Sequence, residues 1–255
     1  MSHIFDHNSP NILSLIQSQL AIDLNCTTAD LNGEPGTIIF TEARDNPGRR
    51  PFPRGERHFE LLSMGSSIVV CASSELLAVI QPALTGKTRD EIFAMPFIYS
   101  LGHYYLPDLK HIVPLPAPTG FSCELVERED IPALYHLQGF ENSIGNGSNH
   151  PRPDALAVIA KAGDAIIGMA GASEDCATMW QVGIDVLPAY RNRGMAAYLV
   201  NRLTIEILRR GVVPYYGTSS ANIASQRTAH RAGYSPAWVC SYKGRFEGHE
   251  LQPTC

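Results

Sequence analysis

The chain has 255 residues, 44% of them apolar, and a formal net charge of −5. That length holds one large core or two small ones, and the apolar fraction is ordinary for a globular protein. The negative balance argues against a general grip on nucleic acid, which draws on an excess of Lys and Arg. The six cysteines (Cys26, Cys71, Cys123, Cys176, Cys240, Cys255) are scattered, with no Cys-x-x-Cys and no secretory leader, so neither a metal cage nor a disulfide framework is expected. The start Met1-Ser2-His3-Ile4-Phe5-Asp6 lacks a basic segment followed by an apolar stretch, and no run reaches membrane-spanning length. Cytoplasm is the expected compartment, with no membrane partner.

In chain order, residues 10–24 read as an amphipathic helix, 37–41 and 67–72 as strands, and 75–84 and 90–93 as helical pieces. Gly48-Arg49-Arg50-Pro51 and Arg54-Gly55-Glu56-Arg57 form a basic stretch. It reads as a solvated loop, with recognition of an anionic group as the alternative. His103-Tyr104-Tyr105 reads as packing rather than a pocket wall. Val113 to Gly120 then places three prolines and a glycine in eight residues, which suits an extended connector. The expected domains are therefore 1–118, a mixed α/β companion, and 119–255.

Beyond the connector, 121–128 reads as a strand, 129–137 as a helix, 155–161 and 165–171 as two strands around Ala162-Gly163-Asp164, and 178–186 as a fourth strand. The stretch 139–154, rich in Asn, Gly and Pro, is either a substrate lid or a surface connection. After the fourth strand and Pro188 comes Arg191-Asn192-Arg193-Gly194-Met195-Ala196. A helix follows over 195–210, with Met195, Leu199, Leu203 and Ile207 four apart on one face and Arg209-Arg210-Gly211 as a stop. A helix start leaves backbone N–H groups unpartnered and carries partial positive charge, so this turn is built to take an anion. Gly194 and Ala196 keep the approach open, while Arg191 and Arg193 add charge at its mouth. A strand over 212–220 and a helix over 222–232 lead into Gly233-Tyr234.

The pattern Arg191-x-x-Gly194-x-Ala196, after a strand and before a long helix, resembles the acetyl-CoA pyrophosphate loop of the GCN5-related N-acetyltransferase (GNAT) superfamily. The later Asn222, Ser225, Gly233 and Tyr234 resemble that family's Asn-x-x-Ala and Gly-Phe. Gly-Lys-Ser/Thr after a glycine run and Gly-x-Gly-x-x-Gly are both absent, so neither a P-loop nor a Rossmann fingerprint competes. The resemblance covers about 121–245. It implies an α/β (α+β) GNAT acyltransferase fold with a mixed central sheet, here joined to an amino-terminal α/β domain.

The same resemblance implies an acetyl-CoA-dependent N-acetyltransferase that passes an acetyl group directly to a primary amine, with acetyl-CoA as co-substrate and no metal. A small-molecule acceptor is expected. The rivals are a protein or peptide acetyltransferase and a catalytically silent acyl-CoA-binding regulator; oligomeric state is open, a homodimer included. By resemblance, Ile184, Asp185 and Val186 offer backbone groups to pantetheine and the acetyl carbonyl. Arg191, Asn192, Arg193, Gly194, Met195 and Ala196 hold the pyrophosphate, and Asn222 and Ser225 complete the cofactor side.

Many members carry a tyrosine four residues before the glycine of the last helix motif, which protonates the leaving thiolate. Here that residue is Ala229, which leaves water, His230 or a hydroxyl such as Ser219 for the task. Asp175 and Glu174 are the candidate bases, against the alternative of a solvated turn; Asp185 has a similar claim or simply orients the chain. Trp180 either lines the acceptor pocket or fills the core, the commoner use of a strand tryptophan.

Overall fold

The computed structural model describes residues 11–243. The first helix, α1 (Ile12–Asp23), starts where the Asn11 side chain accepts from the Leu13 N–H, so the expected helix is present; Pro10 lies outside the described residues, as do Met1 to Asp6 and Cys255. Helix α2 (Thr28–Leu31) opens on a capping box made by Thr27 and Asp30. Strands β1 (Ile38–Glu42), β2 (Phe59–Ser63) and β3 (Ile68–Ala72) follow, then α3 (Ser74–Leu84), α4 (Arg89–Phe93) and β4 (Gly102–Pro107). β1 runs parallel to β3, and β3 antiparallel to β2. Phe59, Leu61, Val70, Leu76, Ile80 and Phe97 form a core with essentially no exposure.

The expected solvated loop holds for Gly55 to Arg57, which are exposed, but Arg49, Arg50 and Arg54 turn inward. Arg50 and Asp23 form an ion pair of 2.6 Å with both side chains under a tenth exposed. Arg49 donates to Asp45 and to the Phe52 carbonyl, and Arg54 to the carbonyls of Arg44 and Asp23. Arg50 and Arg54 thus tie a strandless segment to Asp23 at the end of α1, while Arg49 satisfies a carbonyl within the segment itself.

The second half carries β5 (Ser122–Glu127), β6 (Asp154–Ala162), β7 (Ala165–Cys176), β8 (Met179–Val186), α5 (Met195–Arg209), β9 (Val213–Ser219), α6 (Ile223–Arg231) and β10 (Tyr234–Lys243). β5 to β8 form an antiparallel meander, and β8 pairs with β9 in parallel. The 129–137 segment is not an α-helix; only Ile131–Leu134 is helical, and as 3₁₀. Its bonds run Ala133 to Asp130, Tyr135 to Pro132 and Leu137 to Leu134. A three-residue period puts Ile131, Leu134 and Leu137 in line on one apolar cluster, which a 3.6 period would not. The spaced apolar residues of α5 behave as expected: Met195, Leu199, Leu203 and Ile207 are buried against Ala170, Ala172, Val182 and Val186.

The chain divides into two compact units that are not contiguous in sequence. Among the described residues, one holds 11–104, Ser219–Ala221 and 237–243; the other holds Tyr105–Thr218 and Asn222–Pro236. In the first, β10 residues Val239 to Lys243 pair antiparallel with β2, Val239 opposite Ser63. In the second, the connector is tied to α5, with Asn201 accepting from the Leu115 N–H and donating to the Val113 carbonyl.

Candidate functional site

β8 and β9 pair from Met179↔Val213 to Val182↔Tyr216, although each strand continues further. Beyond that point β8 keeps its antiparallel partner, with Gly183↔Gly171 and Val186↔Gly168. The two parallel strands thus part company at Gly183, and the β8 edge over Gly183 to Val186 faces a gap in the sheet. An unpaired strand edge offers backbone N–H and C=O groups to an extended ligand. Ile184 and Val186 lie on the helix-covered face, packed with α5; Gly183 and Asp185 lie on the other.

At the end of the same strand, Arg191 Nε donates to the Val186 carbonyl over 2.8 Å and so fixes the turn into α5. Asn192 and Gly194 have φ of 61° and 79°, in the left-handed region. Gly194 is the N-cap of α5 and provides no side-chain cap, so the first-turn N–H groups are left for another acceptor. A Cβ built there meets nothing within 4 Å. The space in front of the helix start is open, as a diphosphate requires. Met195 is buried under Gly168, leaving its backbone for the site, and the Arg193 guanidinium lies over the Tyr190 ring at 5.7 Å.

Asn222 caps α6 by accepting from the Ser225 N–H, and Ser225 Oγ hydrogen-bonds the Tyr216 hydroxyl at 2.7 Å. The start of α6 therefore sits over the residue at which β8 and β9 separate. Tyr216 was not singled out from the sequence, where it is one aromatic of a strand. Burial pushes its phenol above the usual range, with the Asp185 carboxylate adding to the shift, so it is a neutral hydroxyl at the gap. His230 lies at the opposite end of α6, about 12 Å along the axis from Asn222 at ~1.5 Å per residue. It stands edge-on to Tyr105 and lines a different cavity, of about 390 Å³, with Asp108, His111 and Asn201.

On the face of the sheet away from α5, residues 140–146 lie directly on β7 and β8. A Cβ on Gly171 would come within 1.9 Å of the Ser143 carbonyl oxygen, and one on Gly183 within 1.8 Å of that of Asn142. Two cross-strand glycines make this approach sterically open. Asp185 then clamps the segment, accepting from the Asn142 N–H and side-chain amide and from the Ser143 N–H and hydroxyl at 2.7–3.0 Å. Asp154 holds the next turn through the N–H groups of Gly145 and Asn146, and burial pushes its carboxyl above the usual range despite those donors. The 139–154 stretch is thus a wall pinned at several points. Together with Ser173, Gln181 and Gly183 it encloses a cavity of about 190 Å³.

Asp175 is beside that cavity with its side chain fully buried. It accepts from Arg152 at 3.3 Å, Ser173 at 3.0 Å and the Tyr215 hydroxyl; Arg152 also donates to Gln181 at 3.1 Å. A carboxylate with three donors is a fixed point of the wall. Glu174, on the other face, pairs with Arg128. Trp180 packs against the helix-side core, its indole N–H buried without a partner. Arg152 and Gln181 were missed as site residues; the available signal was that Arg152 is the one cation of the 139–154 loop. His103-Tyr104-Tyr105 packs, Tyr104 stacking on Trp238 at 4.9 Å. Among the described residues, no group of three His, Cys, Asp or Glu is placed to hold a metal ion, and no helix is long and apolar enough to cross a membrane.

Residues 121–234 match the sequence profile of the Acetyltransferase (GNAT) family. No curated protein matches the chain. Among solved structures, a GNAT-family acetyltransferase from Colwellia psychrerythraea aligns with 14% identity and a TM-score of 0.43 over 56% of each chain. A GCN5-related N-acetyltransferase from Kribbella flavida aligns with 18% identity and a TM-score of 0.42 over 58% of each chain. An aminoglycoside N-acetyltransferase in complex with CoA aligns with 20% identity and a TM-score of 0.36, over 48% of this chain and 93% of that one. The chain thus spans less than two thirds of the length of the first two.

Proposed function

We propose that residues 121–234, which match the GNAT acetyltransferase family profile, form an acetyltransferase domain and that the protein transfers an acetyl group from acetyl-CoA directly to a primary amine of a small molecule. The parting of β8 from β9 after Val182 and Tyr216 carries the reading, because it leaves a free strand edge leading from the open helix start at Gly194 to the cavity on the far face. Backbone N–H groups of 192–196 would hold the diphosphate. The edge of Ile184 to Val186 would take the pantetheine amides, and Asn222 and Ser225 would flank the same arm.

Acetyl-CoA would supply a thioester: as the amine forms a C–N bond, the C–S bond breaks and sulfur leaves needing a proton. Tyr216 is the group that fits this last need. It is neutral, buried at the gap and linked to Ser225, so it can donate to sulfur and be re-protonated through that hydroxyl. An alkylammonium with pKa about 10.4 must also lose a proton first. Asp175 would do so only against three donors that already hold its charge, which makes it a positioning group for Arg152 and Tyr215. Glu174 keeps an exposed ion pair with Arg128, and His230 faces the other cavity; a water chain on the Asn142 side is the reading for the base.

The pinned wall and the modest volume behind it favour a small acceptor over a peptide in a long groove. The regulator reading has one observation in its favour, the buried methyl of Ala229 where a hydroxyl would serve. Release of CoA thiol on mixing acetyl-CoA with a panel of small amines separates the two. Acceptor-dependent release is expected; tight CoA binding with no release under any amine would favour the regulator.

A further inference from the structure

Gln181 occupies an unusual position in the cavity wall. It lies on β8 two residues before Gly183, on the same face, at the end of the cavity away from the Asp185 clamp. Its amide orientation is dictated chemically. Arg152 can only donate, and it sits 3.1 Å from the Gln181 side chain; the Tyr215 hydroxyl lies 3.4 Å away while giving its proton to Asp175. Arg152 alone therefore fixes the Gln181 oxygen on the side of this pair. Its NH₂ group then points away from them, and no described residue accepts from it. The Asp175 relay thus holds a two-proton donor at the edge of a polar cavity.

We propose that Gln181 is a specificity-determining residue and that the acceptor is a small primary amine carrying a hydrogen-bond-accepting oxygen about five bonds from its nitrogen. This deepens the acetyltransferase reading and rests on it. With the thioester at the β8 edge that opens after Val182, the amine nitrogen belongs beside Gly183. Gln181 is two residues back, about 6–7 Å at ~3.3 Å per residue. A carboxylate, carboxamide or hydroxyl at that span meets the amide donors, and the Asn142 side keeps the amine end near Asp185. A plain alkylamine displaces water from those donors and offers them no acceptor in return, a cost that discriminates against analogues lacking the oxygen.

The test uses the full chain and four probes with the same four-carbon chain: butylamine, 4-aminobutanol, 4-aminobutanamide and 4-aminobutanoate. CoA affinity is measured by calorimetry alongside. The wild type should acetylate the oxygenated probes at least tenfold better in kcat/KM than butylamine, and the order among the three identifies the oxygen preferred. Gln181→Glu keeps an oxygen for Arg152 but loses both donors. It should erase that preference, most of all for the carboxylate, while CoA affinity stays within twofold. Gln181→Met serves if the first variant does not fold. Equal use of all four probes by the wild type, or an equal fall for all four in the variant, overturns the proposal. CoA binding with none of the four acetylated overturns this acceptor class and leaves the cofactor reading standing; no CoA binding overturns that reading and this one with it.

Discussion

Two residues decide whether the gap in the sheet works as described. Gly194 sits at φ 79° at the mouth of α5 with open space before it. Gly194→Asp puts a negative charge where a diphosphate must approach, and Asp tolerates the left-handed region better than most L residues. CoA affinity should fall more than tenfold by calorimetry with little change in melting temperature. Gly194→Asn has the same shape without the charge, so its loss should be clearly smaller; equal losses would assign the effect to shape. Tyr216 is the second. Tyr216→Phe should lower kcat at least tenfold at saturating amine with CoA affinity unchanged. Because burial raises the phenol above its ordinary value of about 10, the wild-type rate should show no alkaline fall from this group below pH 10. A fully active Phe variant would hand the thiolate proton to water.

At the scale of elements, the helix side of the candidate site was legible and the wall formed by residues 140–146 was not. The Arg191 to Ala196 turn, the apolar stripe of α5 and the Asn222 cap follow local rules of period and capping, and all three stand where those rules put them. The wall follows no local rule. Asp185 clamps a segment some forty residues earlier, and Arg152 reaches Asp175 from a loop between prolines. Nothing local predicts pairings over such separations, and β10 was not read as a strand because its ladder is with β2, some 180 residues earlier. The wall nonetheless makes a sharp prediction. Gly183→Ala would push a methyl into the Asn142 carbonyl, so residues 140–146 must lift. Overpacking of this kind costs ~1–3 kcal/mol. Melting temperature should fall, and amine KM should rise more than CoA Kd, since the displaced segment borders the cavity proposed for the acceptor. A rise confined to CoA Kd would place the wall on the cofactor side instead.

For the whole molecule, the question is which cut leaves the unit that contains α5 stable. A boundary at 118/119 follows the proline-rich connector, yet residues 105–118 are bonded within the unit that contains α5. Asn201 holds Val113 and Leu115, the Asp108 N–H donates to the Gly233 carbonyl, and Ile112 packs under Gly233. Conversely, the last described strand residues, 239–243, have their β partner in β2. A chain of residues 119–255 would therefore lose the support beneath Gly233 and keep a strand whose ladder is gone, with Trp238 stripped of its stack on Tyr104. An unpaired apolar edge invites association between copies. Fragment 105–236 keeps the first set of bonds and drops the orphaned strand. It should be the more soluble and higher-melting of the two, judged by light scattering and thermal unfolding, and should keep more CoA affinity. If 119–255 is monodisperse and melts as high as 105–236, the connector ties are dispensable and the boundary lies at the prolines after all.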